Sequence, residues 1–291
     1  MKILVTGSKG FVGKRVVSEL KNRKHNIIEF DLANGQDILN KNHIKEALKG
    51  ADAIIHLAAI IENSSPCLWE VNVNGTKTLL DEAIKAHIDK FVLLSSTGVY
   101  GFTKENVDEE TPTAPENNYE KSKLEAEKEV LSRQEEISVS IVRSAMVFGA
   151  NEYWKKMFRM LDKNYPLPCD GKNTFQIIFV EDLARAIALV LEKGQDGEVY
   201  LAAGEDKLSL NAFCESIKSI IGKEGKMKHI PSWIALIFGK IFRAKIISPE
   251  NIRHLSKERN YDISKIEALG YKQKYCIKEA IEKTIDEIAE L

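Results

Sequence analysis

Short apolar runs alternate with longer amphipathic segments through the first half of this 291-residue chain. KILVTG reads as a strand, and GFVGKRVVSELKNRK carries the apolar spacing of a helix. NIIEFD is a second strand, NHIKEALKG a helix, ADAIIHLAA a third strand and NVNGTKTLLDEAIKAHI a long helix. KFVLLSS, the charged segment around Tyr119, and SVSIVRSAMVFG continue as strand, helix and strand. Buried strands separated by helices predict a parallel sheet covered on both faces, the doubly wound α/β class. After about Gly149 the alternation weakens. NEYWKKMFRMLDKNYPLPCDGKN reads as a helix and a Pro- and Gly-containing loop, FQIIFVEDLARAIALVLEKG as a strand feeding a helix, and GEVYLAAG as one more strand. The tail is mostly helical. The pattern predicts a first domain over 1–150, rejoined by 176–203, and a smaller, mostly helical second domain from 151–175 and 204–291.

Composition changes that picture little. The chain is 44% apolar and 29% charged, ordinary values for a globular protein. Its formal net charge of −1 gives no reason to expect nucleic acid or an anionic membrane as partner. Cys67, Cys169, Cys214 and Cys276 are scattered without metal-ligand or redox spacing. They read as reduced thiols of a cytoplasmic protein with no metal centre. The start, MKILVTG, enters a strand directly and lacks the pattern of a signal peptide. Ser232 to Ile247, SWIALIFGKIFRAKII, is strongly apolar with basic residues mixed in. It is too short and interrupted to span a bilayer. It reads as a helix packed into a substrate-side domain or lid, with an interfacial membrane helix as the alternative.

Candidate chemistry begins at TGSKGFVG, which sets Gly7, Gly10 and Gly13 between the first strand and the first helix. Such glycines permit a tight turn and a close approach of backbone to a pyrophosphate, which the helix N-terminus attracts. The second strand ends in Asp31, where an acid can bind the ribose 2′-OH of NAD and repel the 2′-phosphate of NADP. The competing reading of Asp31 is a turn or cap. Further on, NNYEKSKLEAE has the composition of an ordinary charged helix. Within it, Tyr119 and Lys123 stand one helical turn apart and share a face. A free tyrosine, with a pKa of about 10, is a poor base at neutral pH. A neighbouring ammonium favours the phenolate.

Taken in order, these motifs resemble the extended short-chain dehydrogenase/reductase family, the NAD-dependent epimerase/dehydratases. The resemblance covers nearly the whole chain. TGSKGFVG resembles the family's cofactor turn, implying NAD contacts from Gly7, Gly10, Phe11, Val12 and Gly13. Asp37 and Ile38 resemble the acid–hydrophobic pair that meets adenine, and HLAA places Leu57, Ala58 and Ala59 along the cofactor. His56 itself reads as structural. Asn72 opens NVNGT, as a helix cap or in a structural or cofactor role. SSTGVYG places Ser96 as the catalytic hydroxyl, with Ser95 as the neighbour to be told apart, and YEKSK supplies Tyr119 and Lys123. FVEDLARAI and YDISKIEALGY resemble the later signatures, with Asp182 ordering a loop or capping a helix. The resemblance implies a Rossmann-type fold and a homodimer built from the helices starting near Val73 and near Tyr119. It also implies a division of labour. Tyr119 takes a proton from a substrate hydroxyl while hydride leaves the same carbon for NAD⁺, Ser96 bonds the reacting oxygen, and Lys123 also holds the nicotinamide ribose.

Two departures bear on the substrate. The family's sugar-nucleotide dehydratases carry an Asp-Glu pair after the catalytic hydroxyl, whereas Thr97 and Gly98 follow Ser96 here, which argues against dehydration. Many members that act on UDP-sugars have a diphosphate-binding arginine seven residues before the aspartate matched by Asp182; that position is Phe175, with Lys172 as a nearby substitute. Arg143-Ser144 also stands where an Arg-Pro pair is common. The absent arginine counts against a nucleotide sugar, but the complete set of Ser96, Tyr119 and Lys123, with Asp31, supports an epimerase of a nucleotide sugar. The alternative is a dehydrogenase or reductase of a less charged alcohol or ketone, with Phe175 and the Trp233–Phe242 stretch lining an apolar pocket. A cofactor-binding scaffold without catalysis is the third reading, disfavoured by the intact tyrosine and lysine.

Overall fold

The computed structural model describes residues 1–102, 106–223, 225–241, 252–253 and 255–289. In chain order it runs β1 (Lys2–Thr6), α1 (Phe11–Asn22), β2 (Asn26–Phe30), α2 (Lys41–Ala47), β3 (Ala53–His56), α3 (Thr76–Lys85), β4 (Lys90–Ser96), α4 (Asn118–Leu131) and β5 (Ser138–Ser144). There follow β6 (Met146–Phe148), α5 (Glu152–Asp162), β7 (Thr174–Phe175), β8 (Ile177–Phe179), α6 (Val180–Lys193), β9 (Glu198–Ala202), β10 (Leu208–Ser209), α7 (Leu210–Ile220), α8 (Ser232–Ile241), α9 (Ser264–Ala268) and α10 (Ile277–Ala289).

Six strands form a wholly parallel sheet in the order β2-β1-β3-β4-β5-β9. Alternate side chains feed opposite faces. Ile3, Val5, Ile55 and Val92 face one layer, with Val16 and Leu20 of α1 and Ile187 of α6. Leu4, Ile54, Phe91 and Leu93 face the other, with Ile44 of α2, Leu79 of α3 and Val130 of α4. Both faces are dry, which is why these strands read as apolar runs rather than as an alternation. Strand order reverses at β1, so the loops leaving β1 and β3 part to opposite faces and open a crevice at the carboxyl edge of the sheet.

Three elements depart from their sequence reading. SVSIVRSAMVFG breaks at Ala145: β5 stays in the main sheet, whereas β6 leaves it to pair with β8. The strand expected in FQIIF splits at buried Gln176, whose amide donates to Gly204 O (2.6 Å) and accepts from Tyr261 N (2.9 Å). A side chain there takes the place of ladder bonds, so β7 pairs with β10 and β8 with β6. The long helix expected from NVNGT begins as a π-turn over Glu70–Gly75 before α3.

In the later part of the chain, Phe148, Trp154, Phe158, Phe175 and Phe213 build a separate aromatic core. Asp182 accepts from Lys274 N (2.9 Å), Tyr275 N (3.2 Å) and Arg185 (3.1 Å), ordering that loop. Of the apolar stretch from Ser232, the part to Ile241 forms α8, with Ala235 buried and Trp233 and Ile237 exposed. Phe242 to Ile247 lie outside the described residues. Among the described residues no helix is long and apolar enough to cross a membrane.

Candidate active site

The crevice holds a cavity of about 290 Å³, lined by Gly7, Gly10, Asp31, Asp37 and Ile38, and across from them by Leu57, Ala58 and Ala59. Its glycines have specific reasons. Gly7 has φ +68°, and a Cβ there would stand 2.8 Å from Ala58 N, closing the gap between the two loops. A Cβ on Gly13 would stand 2.0 Å from Gly7 O, so only glycine lets α1 start tight against the turn. Helix α1 has no side-chain cap. Among the described residues the N–H groups of Phe11, Val12 and Gly13 have no acceptor; Lys14 N reaches Gly10 O at 3.1 Å. Three bare donors at a helix start suit a pyrophosphate. The Phe11 side chain lies under Gly149 and, with Val12, packs on the aromatic core, so these two residues offer the crevice only their backbone.

Asp31 caps a short turn through Ala33 N (2.8 Å) and also ties down the glycine loop at Lys9 N (2.8 Å). It still lines the cavity, so the cap reading and the ribose reading coexist. Asp37 bonds Leu39 N at 2.9 Å, presenting buried Ile38 beside it. His56 is buried between Thr6 Oγ1 (2.6 Å) and Thr76 Oγ1 (2.9 Å). Burial, aided by the charge of Lys123, pushes its pKa down to about 3, and it stays neutral. Asn72 does not line the cavity. Its amide is spent on Ile60 N (2.8 Å), Ile60 O (2.9 Å) and Ser122 Oγ (2.9 Å), tying the loop after β3 to helix α4.

The same loop then borders a second cavity of about 380 Å³ through Ile61 and Asn63. Ser96, at the end of β4, and half-buried Tyr119 both line it. Burial pushes the Tyr119 pKa up to about 12, against a hydrogen bond from Ser96 that lowers it. Ser95 points the other way, and its hydroxyl is buried without a partner. Lys123 is buried on the Tyr119 helix. Desolvation lowers its pKa to about 8, opposed by the charge of Glu127 one turn on. Glu127 is in turn held by Arg143, whose guanidinium donates to Glu127 Oε2 (2.7 Å) and to Tyr100 OH (2.7 Å). The arginine of the Arg143-Ser144 pair thus braces α4 against β5.

Two cations in this cavity escaped the sequence reading. Lys257 and Arg259 stand two residues apart, and both line the cavity, as does Glu258 between them. Asn173 Nδ2 donates to Lys257 O (2.8 Å), Arg259 N donates to Thr174 O (3.0 Å), and Val107 N donates to Asn260 O (2.8 Å), fixing the segment on both sides. The guanidinium of Arg259 lies 6.0 Å over the ring of Phe175. Phe175 belongs to the aromatic core, and the cation over its ring comes from a distant part of the chain. KERNYD carries two cations in strand alternation beside the recognised YDISKIEALGY, which was the available signal. The positions after Ser96 are also occupied: Thr97 Oγ1 donates to Tyr261 OH (3.0 Å), and Gly98 abuts Glu120.

Comparison with known proteins bears on the fold and the family. The N-acetyl-alpha-D-glucosaminyl-diphospho-ditrans,octacis-undecaprenol 4-epimerase of Escherichia coli O157:H7 is 24% identical over 311 residues, spanning 97% of this chain and 94% of its own length. Human dTDP-D-glucose 4,6-dehydratase is 28% identical over 325 residues, spanning 98% and 89%. The solved UDP-glucose 4-epimerase of Thermotoga maritima superposes with a TM-score of 0.82 at 22% identity, covering 100% of this chain and 99% of that one. A family model, the NAD dependent epimerase/dehydratase family, matches residues 3–203. With the glycine crevice, the Ser96–Tyr119 cavity and that match all on one chain, this protein is a member of the NAD-dependent epimerase/dehydratase family, enzymes built on a Rossmann-type sheet.

Proposed function

We propose that the protein is an NAD-dependent epimerase that inverts a ring carbon of a diphosphate-linked sugar through a transient keto intermediate. The observation that carries this reading is the second cavity, which Ser96, Tyr119 and Arg259 all line. The first cavity fits NAD, held by the N–H groups opening α1, by Asp31 at the ribose and by Asp37 and Ile38 at the adenine. When bound, NAD supplies hydride acceptance and hydride return.

The chain's own residues do the rest. Tyr119 takes the proton of the substrate hydroxyl and later gives it back. Its raised pKa makes it a reluctant phenolate, and Lys123, kept protonated at neutral pH, lowers the cost of that charge. Ser96 donates to the oxygen that becomes the ketone. Asn72 and Arg143 keep the Tyr119 helix in place without touching substrate. Arg259 grips the diphosphate, leaving the sugar free to turn over between the two half-reactions.

The test is Tyr119→Phe with NAD⁺ and a panel of UDP-, dTDP- and GDP-sugars. Turnover is expected to fall about a thousandfold or more, with NAD affinity retained. Stoichiometric NADH release by the wild type would point instead to a net dehydrogenase. A second reading, favoured by exposed Trp233 and Ile237 on α8, places the sugar on a polyprenyl diphosphate. Faster turnover of a lipid-diphosphate sugar than of any nucleotide sugar would select it.

A further inference from the structure

We infer that Glu120 and Lys257 form a specificity-determining pair that reads neighbouring hydroxyls of a neutral sugar and rejects a sugar carboxylate. The inference rests on the reading of the second cavity as a nucleotide-sugar site, and deepens it.

Both groups are buried, Glu120 at 2% and Lys257 at 5% exposed, and both line the cavity. The Lys257 ammonium stands 3.7 Å from Glu116 Oε2 and 4.0 Å from Glu120 Oε1. Those separations are ion pairs, too long for hydrogen bonds. Among the described residues no acceptor lies within hydrogen-bond distance of the ammonium. Glu120 is divided in its duties. Its Oε2 accepts from Glu116 N (2.7 Å) and Asn117 N (3.3 Å), closing the cap of α4. Its Oε1 accepts no hydrogen bond among the described residues and lies beside Gly98, where a Cβ would stand 3.3 Å from it and 3.2 Å from Ser96 Oγ. That places the idle oxygen one residue from Tyr119 and next to the serine.

An idle donor and an idle acceptor therefore face one space beside the reacting centre. A sugar diol satisfies both, because each hydroxyl donates and accepts. A carboxylate only accepts, so it would satisfy Lys257 and meet Glu120 as a like charge. Charge balance points the same way. Arg253 bonds Glu116 at 3.0 Å, so the formal charges of Glu116, Glu120, Arg253 and Lys257 cancel. These four groups carry no net charge between them, and the other charged residues lining the cavity are Glu258 and Arg259.

The experiment compares kcat/KM for UDP-glucose and UDP-glucuronate in the wild type, Glu120→Gln and Lys257→Met, with NAD affinity and melting temperature measured on each. The wild type is expected to favour the neutral sugar by about 100-fold. Glu120→Gln, which keeps a carbonyl for the cap, is expected to narrow that preference at least about tenfold, chiefly through a lower KM for the glucuronate. Lys257→Met approaches from the other side and is expected to raise the KM for UDP-glucose about tenfold at unchanged NAD affinity. Equal wild-type turnover of both sugars would overturn the pairing, as would an equal loss on both in Glu120→Gln. No turnover of either sugar, nor of the dTDP- and GDP-sugars of the panel, overturns the nucleotide-sugar reading, and this inference with it.

Discussion

Helices α1 and α4 each begin at the rim of a cavity, α1 at the first and α4 at the second, and they begin in opposite ways. At α1 a glycine stands at the cap, no side chain covers the first turn, and the donors of Phe11, Val12 and Gly13 are bare. At α4 every first-turn donor is taken. Asn63 accepts from Asn118 N (2.8 Å) and Tyr119 N (3.2 Å), Asn117 Oδ1 from Glu120 N (2.9 Å), and Asn117 O from Lys121 N (3.0 Å). A helix that receives an anion leaves its donors open and offers backbone. A helix that aims side chains closes its donors and becomes rigid. The glycines of α1 and the asparagines of α4 are two answers to one electrostatic fact, the positive helix start.

The contrast can be broken most severely at Lys123. Lys123→Met is expected to cut turnover more than about 100-fold and yet raise stability near neutral pH. The sign follows from the native pKa of about 8 against the ordinary lysine value of 10.5. Between those values the unfolded chain binds more protons, so wild-type stability rises with pH across that window. Below it the burial penalty is fully present, about 3 kcal/mol at most. Chemical denaturation at pH 7 and pH 10 checks this; a variant less stable than wild type at pH 7 would contradict it. Next in size is Gly13→Ala, whose methyl meets Gly7 O. Its NAD affinity is expected to drop about 100-fold while α4 and the aromatic core stay folded, read by NAD titration alongside circular dichroism. The mildest test is Asn63→Ala, which bares two donors of α4. It is expected to lower kcat about tenfold and stability by about 1 kcal/mol, leaving the NAD dissociation constant unchanged. A change in NAD affinity instead would show that the two helix starts are not independent.

How much of this was legible depended on the range of the interactions involved. The strands of the main sheet are local apolar runs with nothing polar to confuse them, so β1 through β5 fall where the pattern puts them. The glycine turn and the spacing of Tyr119 and Lys123 are local too. What the sequence hid was set at a distance. Gln176 divides a strand because Gly204 and Tyr261 come to its side chain. Ala145 divides another because β8 draws β6 away. Arg259 stands over Phe175 only because Thr174 holds its backbone from 85 positions earlier in the chain. Nothing in the spacing of SKERNYD announces that placement. Asn72 was ambiguous for a related reason: its partners, Ile60 and Ser122, lie on different elements.

Gly98 and Glu120 also constrain the paths by which such a site can change its chemistry. A Cβ at 98 would come within 2.9 Å of Glu120 Cγ, so the two positions share one volume. An acidic side chain at 98, as in the dehydratase pattern, therefore forces Glu120 to shift. Shortening Glu120 first removes the cap acceptor of α4 before anything replaces it. The bulk allowed at 98 and the capping of α4 are thus drawn from one side chain, so neither position can change its chemistry independently of the other.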